Sequence, residues 1–168
     1  TKPFCNWDVP GREGHPINCV DHRQAKEYCE FAGKRLPTSD EWVWVATGGE
    51  RRWIWPWGNE RVDDTRVCWK RRDFEGGGGE GTCLPGSRPR GDSPDGIADL
   101  SGNVKEWTAS LFGSNAQGAE MSVRGGAWEN DPDHSNTRSE SEFRYSPNSR
   151  VPELGFRCVR EPASRPDA

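Results

Sequence analysis

The chain is poor in apolar residues and has no long apolar run. Hydrophobic residues make up 31% of its 168 positions, and charged residues make up 30%. No run comes near the roughly 20 consecutive apolar residues that a membrane-spanning helix needs, so we expect no membrane insertion. A composition this polar leans toward disorder. Nine tryptophans and six phenylalanines instead favour a folded domain, because large aromatic side chains each bury much apolar area.

The chain also lacks an excess of positive charge. It carries 23 Lys and Arg against 27 Asp and Glu, for a net charge of −4. Nucleic-acid-binding domains usually present a strong basic excess, so we expect no nucleic-acid partner. No internal repeat is visible, and the length corresponds to one domain. We assign that domain to residues 1–160 and predict a disordered tail at 161–168.

Cysteine pairs at the C-x-x-C spacing of zinc sites are absent, and the three histidines are scattered. The six cysteines therefore indicate disulfides. Six cysteines allow 15 pairings, and sequence alone does not choose among them. Because disulfides form in oxidising compartments, the count favours a secreted, periplasmic or cell-surface protein.

Two helices are predicted near the N-terminus. Asp21 and Gln24 form a capping-box pattern before the first helix, which Gly33 ends. Its predicted apolar face consists of Ala25, Tyr28, Cys29 and Ala32. Thr38 and Glu41 repeat the capping pattern before a second helix. The predicted core residues of that helix are Trp42, Trp44, Val45 and Ala46.

Regular periodicity fades after the second helix. A long irregular stretch in a compact domain usually means a functional or ligand-ordered region. Short strands are predicted only at 122–124 and 155–159, and the second of these alternates apolar and polar positions.

Six blocks in a fixed order carry a family resemblance. They are residues 28–42, Trp-Pro-Trp-Gly at 55–58, residues 86–96, Asp-Leu-Ser-Gly-Asn-Val-Lys-Glu-Trp at 99–107, Arg-Gly-Gly-Ala-Trp at 124–128 and Leu-Gly-Phe-Arg-Cys at 154–158. Together they resemble the formylglycine-generating-enzyme, or sulfatase-modifying-factor, family over residues 15–160. The resemblance implies an α+β, C-type-lectin-like fold with little regular secondary structure, two N-terminal helices, short antiparallel strands and disulfide staples. The family usually has a further N-terminal strand and helix, which are not visible here, so a missing segment or chain is a further expected partner.

The resemblance also implies a disulfide. Family members commonly tie the first helix to the last strand, which here joins Cys29 to Cys158. The simplest pairs among the other four cysteines are then Cys5–Cys19 and Cys68–Cys83, and their pairing stays open at this point.

The block at 99–107 resembles a calcium-binding loop of the family. Carried over residue by residue, the side chains of Asp99 and Glu106 and the carbonyls of Gly102 and Val104 would bind one structural Ca²⁺. Calcium takes hard oxygen ligands of this kind. The alternative is a capped turn in which Glu106 faces solvent. The family's second calcium site falls on 67–68 and 77–79, where the expected side chains are absent, so one ion is expected.

The family's oxidases use two cysteines after the Gly-Gly motif to bind Cu(I), a metal that suits soft thiolates. Counted without gaps, those positions are Asn130 and Ser135, and no cysteine lies between Cys83 and Cys158. We therefore expect no catalytic residues, no copper and no formylglycine-generating activity.

The leading hypothesis is a non-catalytic module that binds a protein or glycan through the surface of residues 129–152. That segment mixes Asn, Asp, Ser, Arg and aromatic residues, as adaptable recognition surfaces do. The candidate contacts are Asn130, His134, Asn136, Arg138, Phe143, Arg144 and Tyr145.

Two alternatives stay open. One is a family enzyme with altered, oxidoreductase-type chemistry at the equivalent cleft, using Asp131, His134 or Arg144. The other is a purely structural accessory domain of a larger surface protein or kinase. The tripeptide Arg90-Gly91-Asp92 matches an integrin-binding motif, and we interpret it as a coincidence.

Overall fold

The computed structural model describes residues 4–69, 81–130 and 136–161. Helix α1 spans His22–Phe31 and helix α2 spans Ser39–Ala46. The strands are β1 at Lys105–Asn115, β2 at Gly118–Arg124, β3 at Glu142–Tyr145 and β4 at Leu154–Phe156. Two single-turn 3₁₀ segments lie at Gly49–Arg51 and Pro89–Gly91. Within the described parts of the chain, every helix is too short and too polar to cross a bilayer.

The four strands form one sheet in the order β3-β2-β1-β4. β1 pairs antiparallel with β2, and β2 pairs antiparallel with β3. β4 runs parallel to β1, so the sheet adds one parallel pair to the expected antiparallel strands. The prediction at 122–124 falls inside β2, while the one at 155–159 was too long at its C-terminal end. β1 and β3 were not predicted.

Both predicted capping boxes are confirmed. Asp21 and Thr38 each accept the backbone N–H of the residue three positions on, and the side chains of Gln24 and Glu41 complete the boxes. Such caps satisfy N–H groups that the first turn of a helix leaves unpaired. The sequence therefore fixes where both helices begin.

The predicted apolar faces were partly wrong. Ala25 and Cys29 are fully buried, but Tyr28 is 59% exposed and Ala32 is also exposed. Trp44 is 58% exposed. It lies two residues from Trp42, or about 200° around the helix, so when Trp42 is buried Trp44 faces away.

The main core lies between α1 and the sheet. Its fully or nearly fully buried residues are Ala25, Cys29, Leu36, Trp107, Val123 and Leu154. Trp107 is the largest of them, and its indole N–H donates to the carbonyl of Val20 at 2.9 Å. A buried polar group that keeps a partner avoids a desolvation penalty.

All three expected disulfides are present. Cys29–Cys158 joins α1 to the residue two positions beyond β4, and Cys5–Cys19 and Cys68–Cys83 close short loops. Of the predicted tail, only Glu161 lies within the described residues, where it forms an ion pair with Arg35. Residues 162–168 lie outside them.

Candidate functional site

Three of the sequence blocks meet at one buried carboxylate, that of Glu106 at the start of β1. Glu106 is 3% exposed. Its Oε2 accepts the indole N–H of Trp42 at 2.7 Å and the Nε–H of Arg157 at 2.5 Å. Its Oε1 accepts the Nη2–H of Arg157 at 2.6 Å. The alternative in which Glu106 faces solvent is therefore wrong.

Arg157 extends this network into the loop that precedes β1. Its Nη2 also donates to the carbonyls of Ala98 and Asp99 at 3.0 and 3.1 Å. Burial disfavours the charged guanidinium, but the charges of Glu106 and Asp99 outweigh burial and raise the pKa of Arg157 above its usual range. Arg157, which follows β4, thus ties the end of that strand to β1 and to the loop before β1.

The predicted calcium ligands lie around this network. Asp99 has a positive φ of 54°, and its Oδ2 accepts the backbone N–H of Gly86 at 2.8 Å. Gly102 has a φ of +81°, and a Cβ there would lie 2.7 Å from the carbonyl oxygen of Cys68. The loop therefore requires glycine at this position.

Two carboxylate oxygens of the predicted calcium loop have room for a further ligand. A carboxylate has about four lone-pair sites, and Glu106 uses three of them, which leaves one on Oε1. Among the described residues, Oδ1 of Asp99 accepts no hydrogen bond. The same residues contain no group of three His, Cys, Asp or Glu side chains able to hold a metal, so an ion here would depend on backbone carbonyls as well.

A nearby aspartate, Asp92, has a carboxylate that is not fully hydrogen-bonded. Oδ1 of Asp92 is buried without a hydrogen-bond partner. Burial and the charge of Asp99 both raise the pKa of Asp92. A cation near Asp99 would relieve this repulsion.

The same aspartate belongs to the Arg-Gly-Asp tripeptide. Gly91 is buried, and a Cβ there would lie 1.9 Å from the carbonyl oxygen of Arg66. Gly91 is thus packed against the domain although Arg90 is exposed, and one carboxylate oxygen of Asp92 is inaccessible. Its geometry agrees with the interpretation as a coincidence.

The residues at the family's copper positions do not fit copper. Asn130 closes a turn, since its Oδ1 accepts the N–H of Ala127 at 2.7 Å and its own N–H donates to the carbonyl of Ala127 at 3.0 Å. Ser135 lies outside the described residues, as do Asp131 and His134. All six cysteines are in disulfides. No thiolate is therefore available to Cu(I).

Two of the candidate contact residues face inward. Phe143 and Tyr145 lie on β3 and pack against the main core. The ring of Tyr145 meets Trp107 edge to face, with 6.3 Å between centroids. Because strand residues alternate between faces, Arg144 between them points outward.

The other described candidate contacts are polar or basic side chains at or near the surface. Arg138 is exposed, and Asn136 is half-buried. Arg144 lies 3.6 Å from Glu120 and above the ring of Phe112. Phe112 is exposed and was not among the predicted contacts. The accessible part of the 129–152 surface is therefore less aromatic than the sequence indicates, and it carries exposed glutamates as well as arginines.

A buried lysine was missed. Lys105 is 5% exposed, and its Nζ donates to Oε1 of Glu129 at 3.0 Å and to the hydroxyl of Tyr145 at 3.2 Å. Burial lowers the pKa of Lys105, but Tyr145 and Glu129 outweigh burial and raise it. The amine therefore stays protonated and is a poor nucleophile. Its partners come from other segments of the chain, so no local sequence pattern predicts its burial.

Comparisons with known proteins agree with the motifs and the fold described above. A family model described as "Sulfatase-modifying factor enzyme 1-like domain" matches residues 3–162. The chain is 35% identical to the inactive C-alpha-formylglycine-generating enzyme 2 of Mus musculus, over 98% of this chain and 57% of that protein. It is 30% identical to the formylglycine-generating enzyme of Streptomyces coelicolor, over 92% of this chain and 55% of that protein.

Solved structures of known proteins share the fold of this chain. The solved structure titled "Crystal Structure of CarF" superimposes with a TM-score of 0.73 at 16% identity, over 90% of this chain and 69% of that one. The chain spans about half the length of the curated relatives it matches. Some relatives are named as inactive, and others are named as formylglycine-generating enzymes without that word. The chain belongs to the sulfatase-modifying factor enzyme 1-like family.

Proposed function

We propose that this domain is a non-catalytic binding module of its family. The observation that best supports this proposal is that all six cysteines form disulfides. A domain without free thiols has no pair of soft ligands to hold Cu(I) and activate oxygen. Asn130, at one of the two copper positions, is engaged in a turn with Ala127.

The proposed recognition surface is the exterior of residues 129–152. Arg138, Arg144 and Arg150 are its exposed cations among the described residues, and three glutamates are exposed there too. Arginine is enriched at interface hot spots because its planar guanidinium can stack and form several hydrogen bonds. A protein or glycan partner remains the proposed ligand class for this surface, and three disulfides favour an oxidising compartment for the encounter.

Copper binding tests the non-catalytic assignment. We expect that titration with Cu(I) under argon, against a chromogenic chelator, will show no stoichiometric binding by the purified domain. The matched variant Asn130→Cys/Ser135→Cys restores two cysteines at the family's positions and should bind more strongly. Tight binding of one equivalent by the unchanged domain would overturn the assignment.

The proposal includes one structural Ca²⁺ held by Asp99, Glu106 and the carbonyls of Gly102 and Val104. Such an ion would fix the loop before β1, where Arg157 already binds the carbonyl of Asp99. We expect calorimetry to show one site. At a calcium concentration 100 times the Kd, binding adds about 2.7 kcal/mol to the free energy of unfolding, which raises Tm by about 5–10 °C.

Two variants locate the ion. Asp99→Asn should weaken calcium binding strongly, because it removes a charged ligand. Asp95→Asn changes an exposed aspartate nearby and should leave binding unchanged. An absence of heat in the titration, or a Tm that does not respond to a chelator, would refute the calcium site.

A further inference from the structure

A second surface adjoins the motif network at Arg157. A cleft of about 670 Å³ opens between the N-terminal segment, α1 and β4. We call it the aromatic cleft, and its walls include Trp7, Tyr28 and Phe156. The rings of Tyr28 and Phe156 meet edge to face at 5.5 Å. Trp7 is 74% exposed. Clefts of this size with aromatic walls are typical ligand sites.

The aromatic cleft is held rigid by covalent bonds. Cys5 and Cys19 of one disulfide and Cys158 of another line it. The first disulfide anchors the segment that carries Trp7, and the second anchors α1 to the residues after β4. A cleft that is already formed loses little conformational entropy on binding, which favours affinity.

Charge in the cleft is of one sign. The lining residues include Lys34, Arg150 and Arg157 and no acidic residue, although acidic residues outnumber basic ones in the whole chain, 27 to 23. Arg150 is paired with Asp21, and Arg157 with Glu106. The ammonium group of Lys34 forms no ion pair with any described residue. It is the available cation of the cleft.

The uncharged polar groups of the cleft are largely occupied. Oδ1 of Asn18 accepts the N–H of Asn6, and its Nδ2 donates to the carbonyls of Phe4 and Pro152. Oε1 of Gln24 accepts the N–H of Asp21. A sugar brings many hydroxyl groups that need partners, and the cleft offers few. An apolar side chain with a carboxylate beside it is better matched.

We propose that the aromatic cleft binds an acidic peptide segment that carries one large apolar side chain. The apolar side chain packs between Trp7 and the Tyr28–Phe156 pair, and a carboxylate of the peptide pairs with Lys34. This inference rests on the proposed role as a binding module but uses a surface outside residues 129–152. It names the chemistry of a partner that the domain recognises.

A random peptide library displayed on phage tests the inference. The library is selected on the immobilised, disulfide-intact domain, and binders to the Trp7→Ala variant are removed. We expect the enriched peptides to combine an aromatic or large aliphatic residue with Asp or Glu. A synthetic peptide of the enriched sequence should bind about 30-fold more weakly to Trp7→Ala, as at a hot spot, and about tenfold more weakly to Lys34→Glu.

Two control variants complete the experiment. Lys34→Arg keeps the charge and should retain binding, and Trp44→Ala removes another exposed tryptophan, from α2, and should have no effect. Enrichment of basic or uncharged sequences, no enrichment, or an equal loss in Trp44→Ala would overturn the inference. Binding of acidic glycans on an array, abolished by Trp7→Ala, would overturn it in favour of a sugar ligand. The copper titration tests the non-catalytic assignment, and its result does not depend on what the aromatic cleft binds.

Discussion

Replacing Glu106 with alanine is expected to lower the free energy of unfolding by about 3 kcal/mol. The substitution leaves the guanidinium of Arg157 without its carboxylate and the indole N–H of Trp42 without its acceptor. Breaking a buried ion pair from one side costs about 3–5 kcal/mol, because the remaining charge is uncompensated. The side chain of Arg157 is 25% exposed, so water reduces the loss toward the lower value.

Urea unfolding followed by tryptophan fluorescence measures this effect. For a chain of this length, a loss of 3 kcal/mol corresponds to a decrease in Tm of about 6–12 °C. Glu106→Gln keeps the size of the side chain and an acceptor for Trp42, so its loss should be smaller. Glu27→Ala breaks the exposed pair with Arg23 and should cost less than about 1 kcal/mol. Equal losses in Glu106→Ala and Glu27→Ala would show that the network does not stabilise the fold.

Removing Cys29–Cys158 is expected to destabilise the domain more than removing Cys5–Cys19. The first disulfide joins residues 129 apart and the second joins residues 14 apart. In the chain-entropy account, a crosslink restricts the unfolded chain more when it closes a longer loop, which gives about 5 kcal/mol for the first and about 3 kcal/mol for the second.

The paired variants are Cys29→Ala/Cys158→Ala and Cys5→Ala/Cys19→Ala. Each keeps an even number of cysteines, so neither leaves an unpaired thiol to form mixed disulfides. Their unfolding free energies are compared in urea without reductant. A larger loss in the short-loop variant would show that local strain or packing, rather than loop closure, determines the contribution of these bonds.

Local patterns in the sequence predicted local structure well. The capping boxes at Asp21 and Thr38 involve residues three positions apart, so the sequence contains the whole interaction. The disulfide pattern was predicted from the family resemblance and from proximity along the chain. Trp44 was placed in the core because it is large and apolar, yet helix geometry directs it away from Trp42.

The strands were harder to predict because their burial does not alternate simply. The first four residues of β1 are all buried, and its pairing with β2 is interrupted twice. A strand with this pattern shows no period of two in its sequence. β3 does alternate, but it has only four residues in a polar segment. Its alternation also explains why Phe143 and Tyr145 cannot share the outer surface with Arg144.

The sequence predicted acidic residues of the candidate site but not the residue that pairs with Glu106. Asp99 and Glu106 were recognised within one block, whereas the partner Arg157 lies 51 residues beyond Glu106. No local sequence pattern predicts that ion pair. The buried Lys105 was also hidden, since its partners Glu129 and Tyr145 come from other segments.

The central claim is that the domain has the family fold without the family's oxidase chemistry. Its most direct test is mass spectrometry of a cysteine-containing peptide after incubation with the domain, Cu(I), oxygen and a thiol reductant that supplies the two further electrons for reduction of oxygen to water, with the Streptomyces coelicolor enzyme as positive control. We predict that the domain forms no aldehyde on the peptide. Conversion of the cysteine to the aldehyde formylglycine, above a control without protein, would contradict the claim.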